Sequence, residues 1–129
     1  KTDKQIKKRI KQKLFEESDK ILRDFIYIED IIQANIKACK PKKSGVYNVG
    51  TGNARSFEDI VNILQKELQI NNGKEYIPNP YIGSYQFFTE ANILTTKKFL
   101  DYEPRFSLED GIKAYIPEIK RLFAEEVKW

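Results

Sequence analysis

The first residues of this chain whose types and spacing suggest chemistry form a small glycine turn. Residues 50–52 (GTG) follow an apolar run and precede a helical pattern, which is where glycine-rich loops hold phosphates. A dinucleotide fingerprint needs a third glycine where this chain has Arg55, and an acidic residue about 20 residues further on. Neither requirement is met convincingly. The segment is therefore interpreted as a strand-to-helix turn that needs small residues, with phosphate binding as the alternative.

A tyrosine followed four residues later by lysine would be a second reactive arrangement, because the ammonium lowers the phenol pKa and lets the phenol exchange a proton. None of the seven tyrosines has lysine at that spacing. The chain has no histidine, which excludes histidine bases, Ser–His–Asp triads and histidine metal sites. Cys39 is the single cysteine, which excludes an internal disulfide and a structural zinc site and favours a reducing cytosol. We therefore predict no catalytic and no metal-binding residue in this chain, and a cytoplasmic location.

Two segments are suited to an anionic, ring-bearing ligand. Arg23 lies at a turn-to-strand boundary, where a guanidinium can hold a diphosphate by two parallel hydrogen bonds. Taken alone, Arg23 is more typical of a surface ion pair. Residues 81–89 (YIGSYQFFT) place four aromatic rings in irregular chain, which predicts either the wall of a ligand pocket or a hydrophobic plug under a loop.

Short strands and helices must position these residues. Apolar runs predict strands at residues 13–15, 25–28, 46–49 and 75–77. Helical spacing predicts helices at residues 30–40, 56–68, 91–100 and 107–123. Ser56, with Asp59 three residues later, predicts a capping box. The fold class is therefore α/β with few short strands and about four helices, too small for a complete doubly wound sheet and typical of the smaller lobe of a two-lobed enzyme.

Composition bounds the domain and its partners. The chain has 129 residues, of which 40% are hydrophobic and 33% charged, as expected for one globular domain. No run approaches the roughly 18 apolar residues of a membrane span, and no signal peptide is recognisable. We therefore predict no membrane association. The absence of methionine predicts a fragment, a processed product or a tagged protein.

The net charge of +4 is concentrated at the beginning of the chain. Residues 1–13 carry seven cations against Asp3, and the remainder carries 16 cations and 18 carboxylates. We divide the chain into a basic arm or linker at 1–12 and a domain at 13–129. The arm is interpreted as a solvated helix or linker, with a polyanion-binding arm as the alternative. Nucleic-acid binding is not expected, because the arm has no aromatic residue for base stacking.

Three motifs in order resemble the extended short-chain dehydrogenase family. Residues 23–30 (RDFIYIED) are similar to its R-D-F-[VI]-Y-[VI]-x-D signature, residues 46–52 (VYNVGTG) with Ser56 to its Y-N-[VL]-G-[TS]-G…S segment, and residues 108–112 (LEDGI) to its last helix start. The resemblance covers roughly residues 13–124. It implies the C-terminal, substrate-binding lobe of such an enzyme, without the lobe that holds the cofactor.

A narrower resemblance points to one branch of the family, the ADP-glyceromanno-heptose 6-epimerases. Residues 77–91 fit its I-P-x-P…Y-Q-x-F-T-x-A pattern, and residues 14–18 (LFEES) are similar to its L-F-E-G-S. Glu17 stands where this branch has glycine, and Asp101 where many relatives have glycine. Arg23 is implied to bind the substrate phosphate and Tyr85 to close over the ADP-sugar. The implied substrate-binding residues are Phe15, Glu16, Glu17, Ser18, Arg23, Tyr85 and Gln86.

The resemblance also implies a function. The whole enzyme, of which this chain would be one lobe, would be an isomerase of lipopolysaccharide inner-core precursor synthesis. It would use NADP bound by its other lobe. This chain would bind the ADP-sugar, pack on the cofactor-binding lobe, and have neither activity nor cofactor of its own. Self-association through the exposed lobe face is also predicted. Two alternatives stay open: the lobe of another extended dehydrogenase, such as a UDP-sugar 4-epimerase or a sugar-nucleotide dehydratase, and a non-catalytic binding or assembly domain with a basic arm.

Overall fold

Four helices and four short strands form the part of the chain that the computed structural model describes, residues 11–126. The helices are α1 (Ile28–Ala38), α2 (Phe57–Glu67), α3 (Leu94–Leu100) and α4 (Leu108–Glu126). The strands are β1 (Gln12–Phe15), β2 (Leu22–Arg23), β3 (Arg55–Ser56) and β4 (Lys74–Ile77). The predicted α/β class with few short strands and about four helices is confirmed for these residues.

The predicted basic arm at residues 1–12 lies outside the described residues except for Lys11 and Gln12. Gln12 begins β1 and is fully buried. The first strand therefore starts one residue before the predicted beginning of the domain.

Local side-chain signals set the starts of two helices. Ser56 Oγ accepts a hydrogen bond from the Asp59 amide at 3.0 Å, and the Asp59 carboxylate accepts one from the Ser56 amide at 3.3 Å. This capping box confirms the predicted start of α2. Ser107 Oγ accepts from the Asp110 amide at 3.1 Å at the start of α4.

Helix α1 begins at Ile28, two residues before the predicted start at Asp30. Asp30 is fully buried, and its carboxylate accepts hydrogen bonds from the amides of Arg105 and Phe106, at 3.0 Å for the nearest oxygen of each. A carboxylate turned toward a distant loop does not cap its own helix. Asp30 instead ties α1 to the segment that leads into α4.

Two small sheets join distant parts of the chain. β1 and β4 are parallel, with Phe15 opposite Ile77, whereas β2 and β3 are antiparallel, with Arg23 opposite Arg55. An isolated parallel bridge between Leu22 and Phe88 brings the irregular loop that follows β4 beside β2.

Two predicted strands were wrong. Residues 25–27 form irregular chain that ends at Tyr27, the N-cap of α1, and Ile28 is the first residue of that helix. Residues 46–49 are irregular chain as well. Within residues 11–126, neither segment pairs with a strand. Residues 46–49 are held instead by side chains: Thr96 Oγ1, for example, donates a hydrogen bond to the Asn48 carbonyl at 2.6 Å.

The core consists of two hydrophobic clusters. The first packs α2 against α4 through Leu64, Ile116 and Ile119. The second consists of Ala34, Ile93, Leu100 and Tyr102. On α4, Ile116 and Ile119 are buried, whereas Tyr115 and Leu122 are each 41% exposed.

Candidate functional site

The candidate site lies where two parallel strands end at the same edge. Phe15 closes β1 opposite Ile77, the last residue of β4, and the Glu16 amide donates a hydrogen bond to the Ile77 carbonyl at 2.9 Å. Both segments then leave the sheet, β1 into a turn at residues 16–20 and β4 into the loop at 78–88. The carboxyl ends of parallel strands are common positions for ligands in α/β proteins. Six of the seven predicted site residues lie here. Phe15 leads into the turn, the turn contains Glu16, Glu17 and Ser18, and the loop contains Tyr85 and Gln86.

Arg23, at the end of β2, is held against the loop by an aromatic ring and two carbonyl groups. The carbon of its guanidinium lies 5.4 Å from the centroid of the Tyr85 ring. Its Nη1 donates to the Leu22 carbonyl at 2.9 Å, and its Nη2 donates to the Gln86 carbonyl. Tyr85 in turn packs on Phe15 edge to face, with ring centroids 5.8 Å apart. Four predicted site residues therefore form one contiguous cluster: Phe15, Arg23, Tyr85 and Gln86.

The positive charge of Arg23 is not neutralised locally. In the part of the chain that the structure describes, no carboxylate lies within ion-pairing distance of Arg23. Carbonyl groups and a ring face orient the guanidinium but carry no formal charge. The ion-pair alternative for Arg23 therefore has no acidic partner among residues 11–126, and the remaining donors of the fork stay available for an anion.

The turn after β1 orients its three predicted site residues differently. Glu16 and Glu17 are exposed, and Glu17 forms an ion pair of 3.1 Å with Lys20. Glu17 has a φ of 61°, the left-handed conformation that favours glycine. Ser18 is buried, with 1% exposure, and its Oγ has no hydrogen-bond partner in the described structure. The turn thus presents two carboxylates outward and keeps the Ser18 hydroxyl inside.

Three of the four aromatic side chains in residues 81–89 are exposed, so they do not form a hydrophobic plug. Tyr81 is 64% exposed and Phe88 59% exposed, whereas Tyr85 is half-buried between Phe15 and Arg23. Hydrogen bonds from the Leu22 amide to the Phe87 carbonyl (2.8 Å) and from the Thr89 amide to the Leu22 carbonyl (3.1 Å) fix the loop beside β2. The loop therefore presents the ring face of Tyr85 next to the guanidinium of Arg23.

The glycine turn at residues 50–52 binds a protein carboxylate. Asp24 accepts hydrogen bonds from the Thr51 amide and the Gly52 amide, each at 2.9 Å from the nearer oxygen. Gly52 has a φ of 73°, so the interpretation as a turn that needs glycine fits the structure. Since the amides that a phosphate would use are occupied by Asp24, residues 50–52 do not fit a dinucleotide pyrophosphate.

The sequence analysis did not identify this role of Asp24. The only available signal was an acidic residue next to Arg23 in a chain that also contains a Gly-x-Gly turn. The two positions are 27 residues apart, and nothing in the sequence pairs them.

A second surface feature is an apolar groove of about 480 Å³ between the segment that leads into α1 and helices α2 and α4. Its walls include residues 25–28, Ile60, Leu108, Ile112 and Tyr115. The sequence analysis missed it because residues 25–28 were predicted to form a strand. The described residues contain no group of three metal-ligating side chains, and none of their helices is long and apolar enough to cross a membrane.

No protein-family profile matches this chain. It is 37% identical over 120 residues to the ADP-L-glycero-D-manno-heptose-6-epimerase of Brachyspira hyodysenteriae, covering 91% of this chain and 37% of that protein. It is 34% identical over 104 residues to the enzyme of the same name from Fusobacterium nucleatum, covering 74% of this chain and 31% of that protein. The chain thus spans about a third of the length of these relatives.

Solved structures agree with the sequence relatives. The ADP-L-glycero-D-manno-heptose-6-epimerase of Helicobacter pylori is 46% identical, with a TM-score of 0.80 over 92% of this chain and 36% of that one. A Bacillus cereus UDP-glucuronic acid 4-epimerase, solved with UDP-glucuronic acid and NAD, is 29% identical, with a TM-score of 0.82 over 94% of this chain and 38% of that one. The UDP-glucose 4-epimerase of Thermotoga maritima shares the fold, with a TM-score of 0.85 at 20% identity over 95% of this chain and 38% of that one.

The relatives and structures share one family, and the three motifs of the sequence analysis lie within the matched region. The chain therefore belongs to the extended short-chain dehydrogenase family, and it is similar to about a third of the length of that family's ADP-heptose 6-epimerases.

Proposed function

We propose that this chain is the substrate-binding lobe, residues 13–129, of an ADP-glyceromanno-heptose 6-epimerase in lipopolysaccharide inner-core precursor synthesis. The names of the Brachyspira, Fusobacterium and Helicobacter relatives support the substrate class. The reaction is the inversion of one stereocentre of an ADP-bound heptose in the cytoplasm. The lobe holds the ADP part of the substrate and thereby positions the reacting carbon.

The observation that carries this proposal is the guanidinium of Arg23, which no carboxylate among residues 11–126 neutralises and which lies over Tyr85, near the carboxyl ends of β1 and β4. A fixed, always-charged fork suits the diphosphate of a nucleotide sugar. Phe15, Glu16 and Glu17 surround the nucleotide end, and Ser18 supports their turn from inside. Tyr85 closes over the ligand, and Gln86 fixes the loop through its carbonyl.

The cofactor is proposed to bind outside this chain. NADP would supply hydride acceptance and return in the complete enzyme. Within residues 11–126 the Gly-x-Gly turn binds Asp24, and no tyrosine of the chain has a lysine four residues later. The chain alone is therefore proposed to be inactive. Turnover of an ADP-heptose by the pure chain with added NADP would contradict this.

An exposed apolar surface supports a cofactor-binding lobe as partner. Ile28, Ile32 and Ile36 lie on one face of α1 and are each about half exposed or more, and Val46 is 99% exposed. Surfaces of this kind mark interfaces. We propose that the cofactor-binding lobe covers this face in the complete enzyme and that the isolated chain associates with itself through it.

The test is a titration of the isotope-labelled chain with ADP, followed by heteronuclear NMR because this method detects weak binding. ADP should shift the signals of Arg23, Tyr85 and residues 15–18. Arg23→Ala should weaken ADP binding by about ten- to a hundredfold, since a hydrogen bond to a charged group contributes about 1.5–3 kcal/mol. Binding of adenosine, which has no diphosphate, should not change.

Arg121→Ala is the matched control, because it removes an arginine from the exposed part of α4 and should leave ADP binding unchanged. Absence of ADP binding, or equal affinity of wild type and Arg23→Ala, would refute the proposal.

The second candidate is a lobe that binds a UDP-sugar, as in a UDP-sugar 4-epimerase or a sugar-nucleotide dehydratase. The 29% identity to the UDP-glucuronic acid 4-epimerase of Bacillus cereus favours it. Titration with UDP under the same conditions separates the two candidates. Tighter binding of ADP supports the heptose epimerase, and tighter binding of UDP supports the alternative.

A further inference from the structure

Asp24 directly follows Arg23 and joins three separate segments of the chain. Its carboxylate accepts hydrogen bonds from the Thr51 amide at 2.9 Å, the Gly52 amide at 2.9 Å and the Ala91 amide at 3.2 Å. The Thr51 hydroxyl donates a fourth hydrogen bond to it. A carboxylate with this many donors is held in one orientation and holds its donors in turn.

The junction around Asp24 is closely packed. A Cβ atom added at Gly50 would lie 2.5 Å from Asp24 Oδ2 and 2.6 Å from the Cβ of Ala91, so only glycine fits there. The Gly50 carbonyl also accepts a hydrogen bond from the hydroxyl of Tyr102 at 2.6 Å, and burial raises the pKa of Tyr102 to about 12. The backbone on both sides of Asp24 therefore has little room to move.

The loop that carries Tyr85 and Gln86 is attached to β2 on both sides of Arg23. Before Arg23, Leu22 exchanges hydrogen bonds with Phe87 and Thr89. After Arg23, Asp24 binds the amide of Ala91. The guanidinium reaches back across this connection to the Tyr85 ring and the Gln86 carbonyl. The distance between the charge and the loop thus depends on attachments at Leu22 and at Asp24, of which only the second is made by a side chain.

From this geometry we infer that Asp24 is a positioning residue for anion binding: it fixes the loop 85–91 relative to Arg23 and so sets the affinity for the ligand diphosphate. This inference rests on the proposed function for the ligand. It adds that affinity depends on a residue that does not touch the ligand. It also explains why the Gly-x-Gly turn lies beside the site without binding phosphate: its amides complete the binding of Asp24.

A purely structural role for Asp24 would predict a loss of stability alone. Asp30 provides the matched control, because it is also a carboxylate that accepts hydrogen bonds from two backbone amides, but those amides belong to Arg105 and Phe106. Asp24→Ala and Asp30→Ala should both lower the unfolding temperature. Only Asp24→Ala should change the side-chain signals of Arg23 and the affinity for ADP.

NMR on the 129-residue chain measures both the side-chain signals of Arg23 and the affinity for ADP. Without ligand, the ring current of Tyr85 should shift the Hε signal of Arg23, because the guanidinium carbon lies 5.4 Å from the ring centroid. In Asp24→Ala this signal should move toward its value in an unstructured peptide. In the titration, the dissociation constant for ADP should rise about tenfold, the size expected for coupled residues in one hydrogen-bond network. Asp30→Ala should retain the wild-type Hε signal and dissociation constant.

Asp24→Asn is the second variant, for use if Asp24→Ala does not fold. An asparagine keeps one of the two acceptor oxygens, so it should give a smaller change in the same direction. Wild-type Arg23 signals and wild-type ADP affinity in a folded Asp24 variant would overturn the inference. The proposed function can fail independently of this inference: it fails if Arg23→Ala binds ADP like the wild type. In that case the Hε signal of Arg23 without ligand still shows whether Asp24 positions Arg23.

Discussion

Replacing Gly50 by alanine should destabilise the chain strongly, although the change adds a single methyl group. The added Cβ would lie 2.5 Å from Asp24 Oδ2 and 2.6 Å from the Cβ of Ala91, far inside ordinary contact distance. Neither neighbour can give way easily. The Asp24 carboxylate is held by backbone amides, and the Cβ of Ala91 moves only with its backbone.

The magnitude follows from these contacts. Overpacking a closely packed site costs about 1–3 kcal/mol. Displacing Asp24 or the Gly50 carbonyl also weakens at least one hydrogen bond, such as that from the buried Tyr102, at about 1 kcal/mol. The free energy of unfolding should fall by about 2–4 kcal/mol, which lowers the unfolding temperature by roughly 10 °C for a domain of this size.

Urea and thermal unfolding, followed by far-ultraviolet circular dichroism, measure this loss. Gly83→Ala is the matched control, because a Cβ at Gly83 meets nothing within 4 Å and its φ is not positive. This control should change the free energy of unfolding by less than about 1 kcal/mol, in the stabilising direction if at all. If Gly50→Ala and Gly83→Ala unfold at the same temperature, the close packing around Asp24 is refuted.

Three further predictions concern other residues of the fold. Asp30→Ala leaves the part-buried amides of Arg105 and Phe106 without their acceptor and should lower the free energy of unfolding by about 3 kcal/mol, measured in urea. Glu17→Val should cost about 1–2 kcal/mol in the same assay, because a β-branched residue fits a φ of 61° poorly, whereas Glu17→Gly should be neutral or slightly stabilising. Arg55 lowers the pKa of Glu109 below its ordinary 4.5 by hydrogen bonding, so a carboxyl NMR titration should show a midpoint below 4.5.

Each of these predictions has its own control. For Asp30, the exposed Asp110→Ala should cost less than half as much. Equal stability of Glu17→Val and Glu17→Gly would show that the left-handed turn is not required. For Glu109, the contribution to stability is present above pH 4.5 and is lost as the pH falls through the lowered pKa. Acidification should therefore destabilise wild type more than Glu109→Gln, by well under 1 kcal/mol because the pair is half-exposed.

The helices could be predicted from the sequence because their signals are local. The capping box of α2 joins two residues only three positions apart, Ser56 and Asp59, and its geometry does not depend on the rest of the fold. The start of α1 was displaced by two residues for the opposite reason. Aspartate is a common N-cap residue, but the carboxylate of Asp30 accepts hydrogen bonds from the amides of Arg105 and Phe106, about 75 positions away.

The two misassigned strands show the limit of composition. Residues 25–28 and 46–49 are rich in β-branched and aromatic residues, which favour extended chain but do not provide a neighbour. A strand forms only where another segment completes the ladder, and among residues 11–126 no segment does so for these two. β1 and β4 contain fewer β-branched and aromatic residues, yet they pair, which places Phe15 beside Tyr85.

The residues of the candidate site were predicted largely by resemblance, whereas their arrangement was not. Arg23 and Tyr85 were both named from the sequence. Their stacking depends on contacts across 62 positions, through the Leu22–Phe88 bridge and the Asp24–Ala91 hydrogen bond. Neither contact leaves a periodic trace in the sequence.

Two residues that adopt the left-handed backbone without being glycine, Glu17 and Asp101, lead to a more general conclusion. Glu17 and Asp101 have φ values of 61° and 54°, so both keep the left-handed backbone that glycine adopts without strain. A conformation that persists without glycine must be imposed by its surroundings. At Glu17 those surroundings are the parallel pairing of β1, which fixes the entry to the turn, and the burial of Ser18, which fixes its exit. The shape of the proposed nucleotide end therefore follows from the sheet and the core, and it does not require glycine at position 17.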